Sequence, residues 1–144
     1  MTHAHQETVL VTGGSQGIGR AVVERLLADG LSVVNFDLVE PPSIDQRETF
    51  VQVDLSDETA LQEALSHVVA KRAVTRLVNN AGIYHSVNTE ETTDLIWEQT
   101  LAINLSAPFF LSRAAMPHLR SNRGVIVNIA SDWGLVGGRN AVAY

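Results

Sequence analysis

Apolar positions along the chain fall into two alternating rhythms. Short β-branched runs are separated by stretches in which apolar residues recur every three or four positions. Thr8–Thr12 (TVLVT) is the first run, and the glycines after it predict a buried strand. From Ile18, the positions Ile18, Val22 and Leu26, flanked by Val23 and Leu27, predict one apolar helix face, and Gly30 after Asp29 predicts its stop. Residues 32–36 (SVVNF) form the second predicted strand, which ends at Asp37, and Pro41 with Pro42 opens a loop. Residues 50–53 (FVQV) form the third. Ser56 is the predicted cap of the next helix, with Asp57 and Glu58 in a first turn where carboxylates suit the helix dipole. Leu61, Leu65 and Val68 make its inner face. Residues 76–79 (RLVN) begin the fourth strand–loop unit. Residues 93–119 read as helix in two pieces parted near Pro108, and 124–129 (GVIVNI) as the fifth strand.

Strands alternating with helices at this spacing predict an α/β fold, a parallel sheet covered on both faces. Right-handed crossovers make it doubly wound, a Rossmann arrangement. Ligands of such sheets bind at the carboxyl ends of the strands. The loops after Thr12, Phe36, Val53, Asn79 and Ile129 are therefore expected on one rim. Residues 8–144 read as one domain, and residues 1–7, with two histidines and no apolar stretch, as a flexible tail.

Composition narrows the chemistry. The net charge of −6 disfavours nucleic acid as a partner, because the protein repels a phosphate backbone. The absence of cysteine removes disulfides, cysteine nucleophiles and thiolate metal sites. His3, His5, His67 and His118 lack metal-ligand spacing, so no metal site is expected. No run approaches the roughly 18 apolar residues of a membrane helix, which predicts a soluble, cytoplasmic protein.

The turn after the first strand reads Thr12-Gly13-Gly14-Ser15-Gln16-Gly17-Ile18-Gly19. Gly13 allows a sharp turn, Gly17 allows backbone to approach a pyrophosphate, and Gly19 allows close helix–strand packing. The helix start supplies amides for the phosphates. A glycine-rich turn without a ligand is the alternative. Asp37 lies at the end of the second strand, where a carboxylate can accept hydrogen bonds from adenosine ribose hydroxyls and repel a 2′-phosphate. Neither Leu38 nor Gln16 is basic, which favours NAD over NADP. Its alternative is a strand-end surface aspartate.

At this point the residues resemble the short-chain dehydrogenase/reductase family over 8–144. The resemblance rests on TGGSQGIG at 12–19, Asp54-Leu55, NNAG at 79–82, Asn104, Ser131 and Tyr144, in that order. It implies cofactor contacts at Gly13, Ser15, Gln16, Gly17, Ile18, Gly19 and Asp37. Asp54 would meet the adenine ring, with Leu55 beside it. The 79–82 segment, including Asn80, Ala81 and Gly82, would support the central strands and pass close to the cofactor. It also implies that Asn104 holds a water in a proton relay, Ser131 orients the substrate oxygen and Tyr144 exchanges the proton. Taken singly, Asn104 reads equally as a helix cap or bend, Ser131 as a loop hydroxyl and Tyr144 as a core or interface aromatic.

The chemistry is intelligible from the groups themselves. Hydride transfer at carbon must be coupled to proton transfer at its oxygen, and a phenol placed there is a general acid or base. A serine hydroxyl can hold the oxygen within reach. The expected activity is therefore NAD-dependent oxidation of a secondary alcohol, or reduction of a ketone, on a small hydroxylated molecule. A non-catalytic dinucleotide-binding module is the rival. His85, Asp132 and Trp133 are candidate substrate contacts, with surface loop side chains as the alternative. The helix around 109–119 reads equally as core and as an oligomer face, and the resemblance implies a homo-oligomer.

One departure stands out. The family motif continues Tyr-x-x-x-Lys, whereas this chain ends at Tyr144 and its only lysine is Lys71. The expectation is the N-terminal part of a longer enzyme, with the piece alone inactive and poorly stable.

Overall fold

The computed structural model describes residues 7–144. His3 and His5, and the predicted tail up to residue 6, lie outside the described residues. Glu7, placed in that tail by its sequence, joins the fold instead. Its carbonyl accepts from the Ser32 amide (3.2 Å), and its carboxylate pairs with Arg76.

The strands are β1 (Thr8–Thr12), β2 (Ser32–Asp37), β3 (Glu48–Gln52), β4 (Val74–Asn79) and β5 (Val125–Asn128). All pair in parallel, in the order β3-β2-β1-β4-β5. The helices are α1 (Gly17–Ala28), α2 (Glu58–Val69), α3 (Asp94–Leu101), α4 (Ala107–Ser121) and the short α5 (Trp133–Val136). β1 is buried at every position, because it has a strand on each edge and helices over each face. Alternate side chains divide between two cores. Val9, Val11, Val33 and Val78 meet Val23 and Leu27 of α1. Leu10, Val34, Phe36 and Leu77 meet Leu61 and Leu65 of α2 and Leu111, Ala115 and Leu119 of α4. Each fully buried aliphatic or aromatic side chain contributes about 1.5–3 kcal/mol. The expected doubly wound sheet is thus present. Among the described residues, no helix is long and apolar enough to cross a membrane.

Three local expectations are corrected and a fourth is sharpened. Ile18 is not on the inner face of α1 but 68% exposed, and Gly19, Val23 and Leu27 form that face. Ile18 occupies the first turn, which projects over the strand ends. Asp57, not Ser56, caps α2: its carboxylate accepts from the Ala60 amide at 3.0 Å. β3 begins at Glu48, two residues earlier than expected, because its pairing with β2 already starts at Val33 opposite Glu48, where the Val33 amide donates to the Arg47 carbonyl at 2.9 Å. The helical stretch does divide near Pro108, as expected: α3 ends at Leu101 and α4 begins at Ala107, with Pro108 in its first turn. Pro108 has no amide hydrogen to continue the ladder of the helical backbone before it. A π-helical turn, Ala102–Ser106, links α3 to α4.

Candidate functional site

The glycine turn leaves β1 with Gly13 at φ +67° and Gly17 at φ +56°, backbone that side chains rarely adopt. A Cβ on Gly19 would lie 1.9 Å from the Gly13 carbonyl oxygen, so only glycine lets α1 start this close to the strand. At Gly17 nothing lies within 4 Å of that position, which leaves this side of the turn open. The residues present therefore fit a pyrophosphate: a tight cradle behind, free space in front, and a helix start facing it.

Polar side chains fix the turn from below. The buried Asn35 accepts from the Gly14 amide (2.9 Å) and donates to the Ser15 hydroxyl (3.1 Å) and the Glu48 carboxylate (3.4 Å). Glu48 in turn receives both Arg20 guanidinium nitrogens, at 3.0 and 2.9 Å. This network was missed by sequence reasoning. Its signal was an asparagine inside the apolar run SVVNF, where an unpaired amide would be costly to bury. Thr12 fixes the turn from the other side. Its hydroxyl accepts from the amides of Asn80 and Ala81, both at 3.0 Å, while the Asn80 side chain donates to the carbonyls of Thr12 and Gly13.

At the end of β2, Asp37 accepts from the Ser15 amide (3.0 Å) and the Val39 amide (3.2 Å). Beyond β3, Asp54 accepts from both the hydroxyl (2.7 Å) and the amide (2.8 Å) of Ser56. The Ser56 hydroxyl first, and then its amide, hold the Asp54 carboxyl below its ordinary value.

Asn104 sits in the π-helical turn. It accepts from the Ile83 amide and donates to the Ile83 carbonyl, both at 2.8 Å. It thereby holds the segment leaving β4. Ser131, past β5, accepts from the Trp133 amide at 3.2 Å. Tyr144 packs edge-on against Tyr84 (ring centroids 5.4 Å) and Trp133 (5.9 Å). At the floor, the side-chain amide of the buried Asn79 donates to Asn128 (2.8 Å) and Ser112 (3.2 Å), and its side-chain oxygen Oδ1 has no hydrogen-bond partner.

Two adjoining cavities result. The larger, about 740 Å³, is bordered by Asn104, Ser131 and Tyr144 together. The smaller, about 340 Å³, is bordered by Gly13, Gln16, Gly19, Asp37, Asp54 and Leu55. Ile18, Asn80, Ala81, Gly82 and Ile83 border both, so the two are halves of one groove along the strand ends. Of the remaining sequence candidates, Ser15 is buried beneath the turn and Gly17 lies on its exposed side. His85 and Asp132 are exposed and border neither cavity, and Trp133 stands behind Tyr144.

Comparison with known proteins gives the same picture. The family model for short chain dehydrogenase matches residues 7–144. L-fucose dehydrogenase of Mus musculus is 34% identical, covering 100% of this chain and 55% of that protein. Ligand-free aldohexose dehydrogenase of Thermoplasma acidophilum superposes with a TM-score of 0.91 at 29% identity, covering 97% of this chain and 55% of that one. A short chain dehydrogenase of Leptospira borgpetersenii with bound NAD+ superposes with a TM-score of 0.84 at 28% identity, covering 91% of this chain and 54% of that one. The chain thus spans little more than half the length of these relatives. With its glycine turn, its strand order and this match over nearly its whole length, the chain belongs to the short-chain dehydrogenase family.

Proposed function

We propose that this chain provides the dinucleotide site and the proton-transfer residues of an NAD-dependent dehydrogenase. Its substrate is the secondary alcohol, or the corresponding ketone, of a small hydroxylated molecule. The observation that carries the reading is the single groove, with Asp37 and the glycine turn bordering one half and Asn104, Ser131 and Tyr144 the other.

In this reading the amides at the start of α1 hold the pyrophosphate, and Asp37 accepts hydrogen bonds from the adenosine ribose. Its negative charge disfavours a 2′-phosphate, which supports NAD over NADP. Bound NAD supplies the hydride acceptor for alcohol oxidation. The chain's own residues manage the oxygen. As the carbon loses hydride, the hydroxyl proton passes to the Tyr144 oxygen, and the direction reverses for ketone reduction. Ser131 donates a hydrogen bond that holds the substrate oxygen beside the phenol. Asn104 orders the loop above the groove and supports a water in the proton path. The L-fucose and aldohexose dehydrogenases among the relatives support a polyhydroxylated substrate.

The test uses the whole protein. Tyr144→Phe is expected to lower turnover by about a hundredfold or more, while calorimetric titration shows NAD binding retained. Substantial turnover in that variant would refute the assigned role of the phenol.

A further inference from the structure

We propose that Tyr84 is a positioning residue for Tyr144, acting through a brace of aromatic rings and backbone bonds between the segment after β4 and the segment before Tyr144. The inference rests on the proton-exchange role proposed above for Tyr144.

The two segments are far apart in sequence and are joined at several points. The Tyr84 ring meets the Trp133 ring at 5.3 Å and the Tyr144 ring at 5.4 Å, both edge-on. Trp133 and Tyr144 close the triangle at 5.9 Å. Such pairs are worth about 0.5–1.5 kcal/mol each beyond the area they bury. The Asn140 carbonyl accepts from the Val87 amide (3.2 Å) and the Tyr84 hydroxyl (3.4 Å). Val87 also forms a parallel bridge with Ala141, whose carbonyl accepts from the Tyr144 amide at 3.2 Å. Gly138 lies flat against Trp133: a Cβ there would come within 2.5 Å of the indole. Asn140 is held at φ +55°, a conformation that needs such support.

The brace has a fixed end. Asn104 clamps both backbone groups of Ile83, the residue before Tyr84. Position is therefore passed from the π-helical turn to Ile83, then to the Tyr84 ring, then to Tyr144. Proton transfer is sensitive to such placement, since a misplacement of about 1 Å can cost a hundredfold in rate. Trp133, a candidate substrate contact on sequence grounds, is in this arrangement a pillar of the brace.

Steady-state kinetics on the whole protein test the proposal. Tyr84→Leu is expected to lower kcat about tenfold to a hundredfold, with KM for NAD changed by less than about twofold. Tyr84→Phe, which keeps the ring, is expected to recover most of that loss. An unchanged kcat in Tyr84→Leu overturns the proposal. Equal losses in the leucine and phenylalanine variants overturn it too, since the ring would then not be the operative group. Parallel loss of NAD binding would show general disruption and also count against it. If Tyr84→Leu does not fold, Trp133→Leu, which removes the ring that meets both tyrosines, is read by the same split of kcat from KM. Tyr144→Phe separates the two ideas. Retained turnover there defeats the phenol's role and this proposal with it. An inactive Tyr144→Phe beside a fully active Tyr84→Leu defeats the positioning proposal alone.

Discussion

Asp37 holds two backbone amides at once, those of Ser15 and Val39, so its carboxylate is oriented by the protein itself. A side chain fixed in this way presents its remaining lone pairs in one direction, and a 2′-phosphate brought there meets a charge that cannot swing aside. Asp37→Ala is therefore expected to weaken NAD binding about tenfold and to weaken NADP binding less or not at all. Calorimetric titration of both dinucleotides checks this, and an unchanged NAD-to-NADP ratio would remove Asp37 from the ribose site. Asp37 and Gly19 were legible in the sequence because spacing alone gives their places. Asn35 was not. Its burial depends on Glu48 and Arg20 arriving from two other elements, and no local pattern contains that meeting.

At the scale of elements, periodicity identified each strand of the sheet and failed where an element meets the site. Ile18 obeys the helical spacing of α1 yet faces the groove, since the first turn of α1 lies beyond the layer that covers the sheet. Pro108 marks the division because it has no amide hydrogen to continue the ladder of the helical backbone that precedes it. The irregularity lies in the turn just before it, at Ala102–Ser106. π-helical turns often accompany functional sites, and this one carries Asn104 to Ile83. Asn104→Ala removes two hydrogen bonds to a partly buried backbone. The expected cost is about 1–2 kcal/mol, or a fall of several degrees in the melting temperature. Calorimetric melting of the 144-residue chain reads this directly. A melting point equal to the parent's would mean that the clamp does not hold the segment.

For the molecule as a whole, the two faces of the sheet are covered unequally. Ile126 of β5 packs against the α2–α4 layer, while Val125 and Val127 on its other face are 53% and 46% exposed. Leu135 and Val136 of α5 are exposed as well. β5 is also an edge strand. Exposed apolar side chains such as the Val125–Val127 pair on one face of β5 bind other apolar surface. The 144-residue chain is expected to enhance the fluorescence of a hydrophobic dye, and the double substitution Val125→Lys with Val127→Lys to reduce it markedly. Dye binding that ignores both lysines would place the sticky surface elsewhere.

The strand order carries a consequence for biosynthesis. β1, which precedes both of its neighbours in the chain, has Thr8 paired with Ser32 on one edge and with Val74 on the other. Translation at roughly 5–20 residues per second leaves that second edge open for some seconds after β2 has emerged. During that interval a strand that is buried throughout in the folded chain offers a free ladder to any nascent neighbour. Crowded polysomes are therefore where this fold is most exposed to aggregation, and a chaperone that shields the first forty residues would help it most.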